Sequence, residues 1–147
     1  IKQLCFFNEN KIFLVQFINM KFHHTGFLTT DFKKSLDSFK MLNYKKKGKL
    51  IRDNLLKVQI QFIENSNNNL IELIKPYPKN IGLIDILKKK IFAYHFAYKV
   101  KNLQKKLKNL EKKFNIIVYP IPAKAFKNKK VAFLKMKNGF IIELIES

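Results

Sequence analysis

Two long stretches of this chain lie on one another at a fixed offset of 71 residues, and that duplication restricts the fold more than any other feature of the sequence. HTGFLTTDFKKSLDSF, from His24, aligns without gaps on HFAYKVKNLQKKLKNL, from His95. His24 falls on His95, Asp31 on Asn102, Phe32 on Leu103, Leu36 on Leu107 and Phe39 on Leu110. Asp or Asn beyond the histidine is suited to cap a helix N-terminus, and the apolar spacing that follows has the helical period. Each half therefore reads as strand, cap, helix.

The same offset holds at the far ends of the halves. QFIENSNNNLIELI (61–74) lies on AFLKMKNGFIIELI (132–145), with Phe62 on Phe133 and Glu72 on Glu143. Each stretch has the pattern of a hairpin: an apolar strand, a polar turn rich in Asn or closed by Asn138-Gly139, and a second apolar strand. The expected fold is α+β, two paired βαβββ modules at about 21–76 and 92–146, joined by a segment with a short helix over 77–91.

In both halves the histidine precedes the glutamate by the same distance, since 72 − 24 and 143 − 95 are both 48. Taken singly, His95 within YHFAYKV reads equally as a hydrogen-bonded core residue, and a Glu within IELI as the polar side of an amphipathic strand. A carboxylate flanked by Leu and Ile is costly to bury without a partner, yet it recurs in both halves. Two imidazoles and two carboxylates brought together by a pseudo-twofold would satisfy one another around a divalent cation. His23 adjoins His24; the repeat selects His24, and strand alternation sends His23 to the opposite face. Asp53 and Glu64 have no counterpart in the repeat and are expected at the surface.

A net charge of +20 would point to nucleic acid or an anionic membrane. Only one of the 30 basic residues, Arg52, is arginine, the side chain best shaped to grip phosphates and guanine edges. The accompanying abundance of Asn, Ile and Phe fits A/T-rich codon usage, so the lysines are expected to form a solvated surface, with no specific nucleic-acid partner. The lone cysteine, Cys5, excludes an intrachain disulfide and a cysteine-rich zinc site, which suits a cytoplasmic location. Residues 1–20 stand outside the repeat. Lys2, Glu9 and Lys11 break up any membrane span there, and no small-residue cleavage site follows. That segment is read as an N-terminal extension with Met20 as the expected start of the patterned chain, and 21–147 as the domain.

The histidine-bearing strands, the capped helix, LIELIKP, YHFAYKV and the closing VAFLKMKNGFIIELIE together resemble the vicinal oxygen chelate superfamily, which includes glyoxalase I and methylmalonyl-CoA epimerase. The resemblance spans residues 21–146. It implies strands curled into a cup around one metal ion, with His24, Glu72, His95 and Glu143 as ligands and Co, Ni, Zn, Mn or Fe as the ion. The cup forms within one chain or across a homodimer. It also implies a small-molecule substrate, an acyl thioester among the candidates, and loss of a proton beside a carbonyl through a metal-stabilised enediolate. Glu143 is then the expected base, with Glu72 as its counterpart on the opposite face.

Within that superfamily the epimerases are the nearer pattern. IELIKPYPKNIGLIDILKKK and PIPAKAFKNKKVAFL resemble the epimerase segments before the second histidine and before the closing strands. Leu28 stands where glyoxalase I proteins carry an arginine, and Lys75-Pro76 where they tend to carry an asparagine. Glu72 departs the other way, because epimerases usually have Gln there. The expected function is thus an epimerase-like metal-dependent isomerase. Its alternatives are a lactoylglutathione lyase of glyoxalase I type and a non-catalytic ligand-binding protein of bleomycin-resistance type.

Overall fold

A computed structural model describes residues 20–147, so the extension read over 1–20, with Cys5, lies outside the described residues except for Met20, which opens the first strand. The first half consists of β1 (Met20–Leu28), α1 (Phe32–Lys40), β2 (Lys45–Asp53), β3 (Val58–Glu64) and β4 (Leu70–Pro76). A short helix, α2 (Ile81–Lys88), links it to β5 (Ala93–Val100), α3 (Leu103–Leu110), β6 (Asn115–Pro122), β7 (Lys130–Lys135) and β8 (Ile141–Glu146). Both halves are βαβββ.

The helix starts follow from their caps. The Asp31 carboxylate accepts from the backbone N–H groups of Lys33 and Lys34, and the Asn102 side chain accepts from that of Lys105. Each cap fills orphan donors of a first turn. The two helices then diverge. Leu103, Leu107 and Leu110 of α3 are buried against Val100, Ala132, Leu134 and Leu144, whereas α1 has no buried residue. Between β7 and β8 the turn closes at Gly139, whose φ of 87° is costly for any residue with a Cβ.

Among the described residues eight strands form one mixed, open sheet in the order β2-β3-β4-β1-β5-β8-β7-β6. Within each half the histidine strand runs parallel to the glutamate strand, with Gly26 opposite Glu72 and Ala97 opposite Glu143. The halves meet where β1 and β5 pair antiparallel, His24 opposite Ala97 and Gly26 opposite His95. Each histidine thus faces a small residue across the junction.

Edge strand β2 carries Lys45, Lys46, Lys47 and Lys49, all exposed, and such charges discourage pairing with another chain. No lysine among the described residues is buried, as expected of a solvated surface, and Glu64 pairs with Lys47 near that surface. No helix among the described residues is long and apolar enough to cross a membrane.

Asp53 corrects the sequence reading. It is fully buried, not at the surface. One carboxylate oxygen accepts from Leu55 and Leu56 N–H at 3.0 and 3.1 Å, and the other from Lys124 N–H at 2.8 Å, in the 3-10 turn after β6. This bond ties the end of one edge strand to the turn beyond the other and holds the sheet curled. Asp53→Ala strands these donors and is expected to cost about 2–4 kcal/mol. Urea unfolding would read that loss; an unchanged midpoint would show that the tie is dispensable.

Candidate metal centre

The pleat of β1, β4, β5 and β8 brings the four repeated residues to the concave face near the junction of the halves. His24 is 0%, Glu72 3%, His95 1% and Glu143 2% exposed. One ligand atom from each lies within 4.8 Å of the other three. His24 Nε2 is 3.1 Å from His95 Nε2 and 3.2 Å from Glu72 Oε2. Glu143 Oε2 sits 3.3 Å from both Nε2 atoms, and Glu72 Oε2 3.7 Å from that of His95.

Hydrogens do not satisfy this arrangement. His24 Nε2 carries at most one hydrogen and lies within 3.3 Å of three polar atoms, while the buried Glu143 Oε2 has no hydrogen-bond partner among the described residues. Four atoms with these separations fit on a sphere of roughly 2 Å radius, the length of zinc–nitrogen and zinc–oxygen bonds. Two imidazoles with two carboxylates also form a donor set suited to a borderline divalent cation.

Each imidazole is cradled in the same way. Phe62 of β3 meets the His24 ring edge-on at 5.7 Å, and its repeat partner Phe133 of β7 meets His95 edge-on at 5.6 Å. A third aromatic, Phe126, stacks on His24 at 5.9 Å, with no counterpart on His95 among the described residues.

His23 does not lie on the opposite face. The β1–β5 register slips between Phe22 and His24, making His23 the extra residue of a bulge, and slips again between Gly26 and Phe27, opposite the extra residue Tyr94. These two are themselves partners in the repeat. The bulges turn both rings toward their neighbours: His23 packs edge-on against His24 at 5.1 Å, and Tyr94 against His95 at 4.6 Å. His23 Nδ1 also lies 2.8 Å from His24 Nδ1. The matching Nδ1 of His95 is buried and has no hydrogen-bond partner among the described residues.

The charges follow from this packing. Burial opposes charge on His24, but the Glu72 and Glu143 carboxylates outweigh it and raise the imidazolium to about 9. Burial likewise works against ionised Glu143, and the two adjacent imidazoles overcome it, lowering the carboxyl to about 2. His23 is lowered to about 4 by burial first, then by His24 and the Lys99 charge, so it is neutral at pH 7. The buried Tyr94 phenol is raised by desolvation and by the two carboxylates.

Gly26 escaped the sequence reading although it makes the space that the His95 ring occupies. A Cβ there would lie 2.1 Å from Cε1 and 2.5 Å from Nε2 of His95. A glycine inside a strand, two residues after a candidate ligand, is the signal that could have found it, because such a glycine often marks a close approach.

Beside the cluster opens a cavity of about 260 Å³, reached by Glu72, His95 and Glu143 and walled by both halves and α2.

Comparison with known proteins agrees with this architecture. The family model of the glyoxalase/bleomycin resistance protein/dioxygenase superfamily matches residues 23–133. Among solved structures, a hypothetical protein of Bacillus halodurans is 25% identical, with a TM-score of 0.74 over 87% of this chain and 94% of that one. Methylmalonyl-CoA epimerase of Mycobacterium tuberculosis is 16% identical, with a TM-score of 0.73 over 86% and 87%. The Streptomyces coelicolor methylmalonyl-CoA epimerase in complex with 2-nitronate-propionyl-CoA is 15% identical, with a TM-score of 0.71 over 86% and 96%. No curated protein matches significantly. Because the family match covers three quarters of the chain, from the first histidine strand to Phe133 in β7, the chain belongs to the glyoxalase/bleomycin resistance protein/dioxygenase superfamily, the vicinal oxygen chelate proteins.

Proposed function

We propose that this protein is a metal-dependent enzyme that removes a proton from the carbon beside a carbonyl, acting on an acyl thioester in the manner of an epimerase. The observation that carries the reading is the buried Glu143 Oε2, left without a hydrogen bond between two imidazoles and beside an open cavity. His24, Glu72, His95 and Glu143 would hold the cation. When bound, it supplies a positive charge that favours negative charge developing on a substrate oxygen.

The chain's own groups do the rest. Glu143 stays ionised to low pH and reaches the cavity, so it can receive the proton. Glu72 reaches the same cavity from the other half; carrying a proton taken from solvent, it is suited to deliver it to the opposite face while Glu143 releases its own to solvent, which inverts a stereocentre. His23, being neutral, accepts the Nδ1–H of His24 and leaves the Nε2 lone pair of His24 directed at the cluster. Against a glutathione substrate stands Leu28, fully buried in the core, where glyoxalase I proteins have an arginine.

The test is incubation of the Co-, Ni-, Zn-, Mn- or Fe-loaded protein with acyl thioesters in deuterated water, reading deuterium at the α-carbon. Exchange with thioesters supports the reading. Exchange with hemithioacetals alone would move the assignment to the lyase, and exchange with neither would favour the ligand-binding protein.

Metal uptake itself should be pH-dependent. In the metal-free protein His24 holds a proton up to about pH 9, while Glu143 has already lost its own above about pH 2. Between pH 7 and 8 each cation bound should therefore release about one proton, and apparent affinity should fall about tenfold per pH unit below 9. Above pH 9 the release should vanish. Calorimetric titration in buffers of different ionisation enthalpy reads the proton count; a count of zero at pH 7.5 would mean that His24 is not displaced.

A further inference from the structure

The cavity wall restricts the ligand further than the cluster does. In a chain with 30 basic residues, the described residues that line it include no lysine or arginine. Its ionisable members are Glu72, Glu143 and His95 of the cluster, and Tyr94, whose phenol burial keeps neutral. Asn80 also lines it, but its amide is already engaged: Nδ2 donates to Leu56 C=O and Oδ1 accepts from Leu83 N–H. The remaining surface is largely aliphatic and aromatic, with Val58, Ile60 and Ile74 from the first half and Val118, Phe133 and Ile141 from the second.

An anionic group among these side chains would lose its water and gain no counter-charge. An apolar group would gain burial instead. Size sets the second limit. At about 30 Å³ per water-sized group, the volume holds roughly eight or nine non-hydrogen atoms. Two adjacent oxygens with the atoms that carry them occupy four of those places, leaving room for about four or five carbons.

Building on the metal-centre reading above, we propose that the substrate presents an uncharged aliphatic arm of about four or five carbons to this cavity, beside the two oxygens that face the cluster. A carboxylate on that arm would be refused. The substrate class is then a thioester of a short-chain acyl group that bears a second oxygen near the thioester carbonyl and is otherwise aliphatic, with its carrier outside the cavity.

Alkyl hydroxamates, which offer two adjacent oxygens on an arm of chosen length, test this by calorimetry on the zinc-loaded full chain. From acetohydroxamate to hexanohydroxamate each added methylene should tighten Kd about three- to fourfold, roughly a hundredfold in all, with no further gain beyond that length. Succinate monohydroxamate, of similar length but ending in a carboxylate, should bind no more tightly than acetohydroxamate. Ile86→Phe, which enlarges a half-buried side chain of α2 on the cavity wall, should bring the plateau to a shorter arm. Binding of acetohydroxamate with no dependence on arm length, or with the succinate compound as tight as the hexanoyl one, overturns the inference and leaves the metal centre intact. Failure to take up zinc at all overturns the metal centre and this inference with it.

Discussion

Glu143→Gln is expected to retain its metal while α-hydrogen exchange slows by roughly 10²- to 10⁴-fold, the usual cost of losing a general base. The amide keeps an oxygen in the position of Oε2, which lies 3.3 Å from both imidazoles, but it cannot accept the substrate's proton. His95→Ala should behave differently, losing metal and exchange together, because no nearby group replaces the Nε2 lone pair at the junction. Metal content by mass spectrometry and deuterium uptake by NMR separate the two outcomes. Wild-type exchange in a metal-loaded Gln variant would reduce Glu143 to a ligand and leave Glu72 as the group to test next.

Gly26→Ala should abolish the centre without touching a ligand. The new methyl carbon would overlap the His95 ring, 2.1 Å from its nearest atom, and backbone surrounds both residues in the middle of the sheet. Either the ring swings away from His24 or β1 and β5 move apart. Overpacking of this kind costs about 1–3 kcal/mol in stability, and losing the ligand should weaken metal binding by at least about a hundredfold. Ala97 is the matching position opposite His24, and there a Cβ is already accommodated. Ala97→Gly should therefore cost only about 1 kcal/mol and keep the metal. A Gly26→Ala variant that binds zinc as the wild type does would show that the ring has another route to the cluster.

These two residues show how far the sequence reaches. The repeat was legible because each half is built from local signals: Asp31 and Asn102 announce helix starts, and the Asn-rich and Asn-Gly turns announce hairpins. Once both halves have the same elements, the spacing of 48 from histidine to glutamate places both pairs at matching points on parallel strands. His24, Glu72, His95 and Glu143 could thus be named together, as could the two-module fold.

What only the tertiary structure decided lies where one half meets the other. His23 and Tyr94 turn toward the centre because the β1–β5 ladder slips on either side of the histidines, and a ladder's register exists only once two distant strands have paired. Asp53 looks like a surface carboxylate from its neighbours, yet one of its partners, the N–H of Lys124, is 71 residues away. Gly26 is a small residue among many until the imidazole of the other half arrives above it. Local sequence determines which elements form and which side chains share a face, because backbone period and capping act over a few residues. Contacts across the pseudo-twofold depend on the chain's return, so the sequence alone left the bulges, the buried tie and the space for His95 to be settled by the packed sheet.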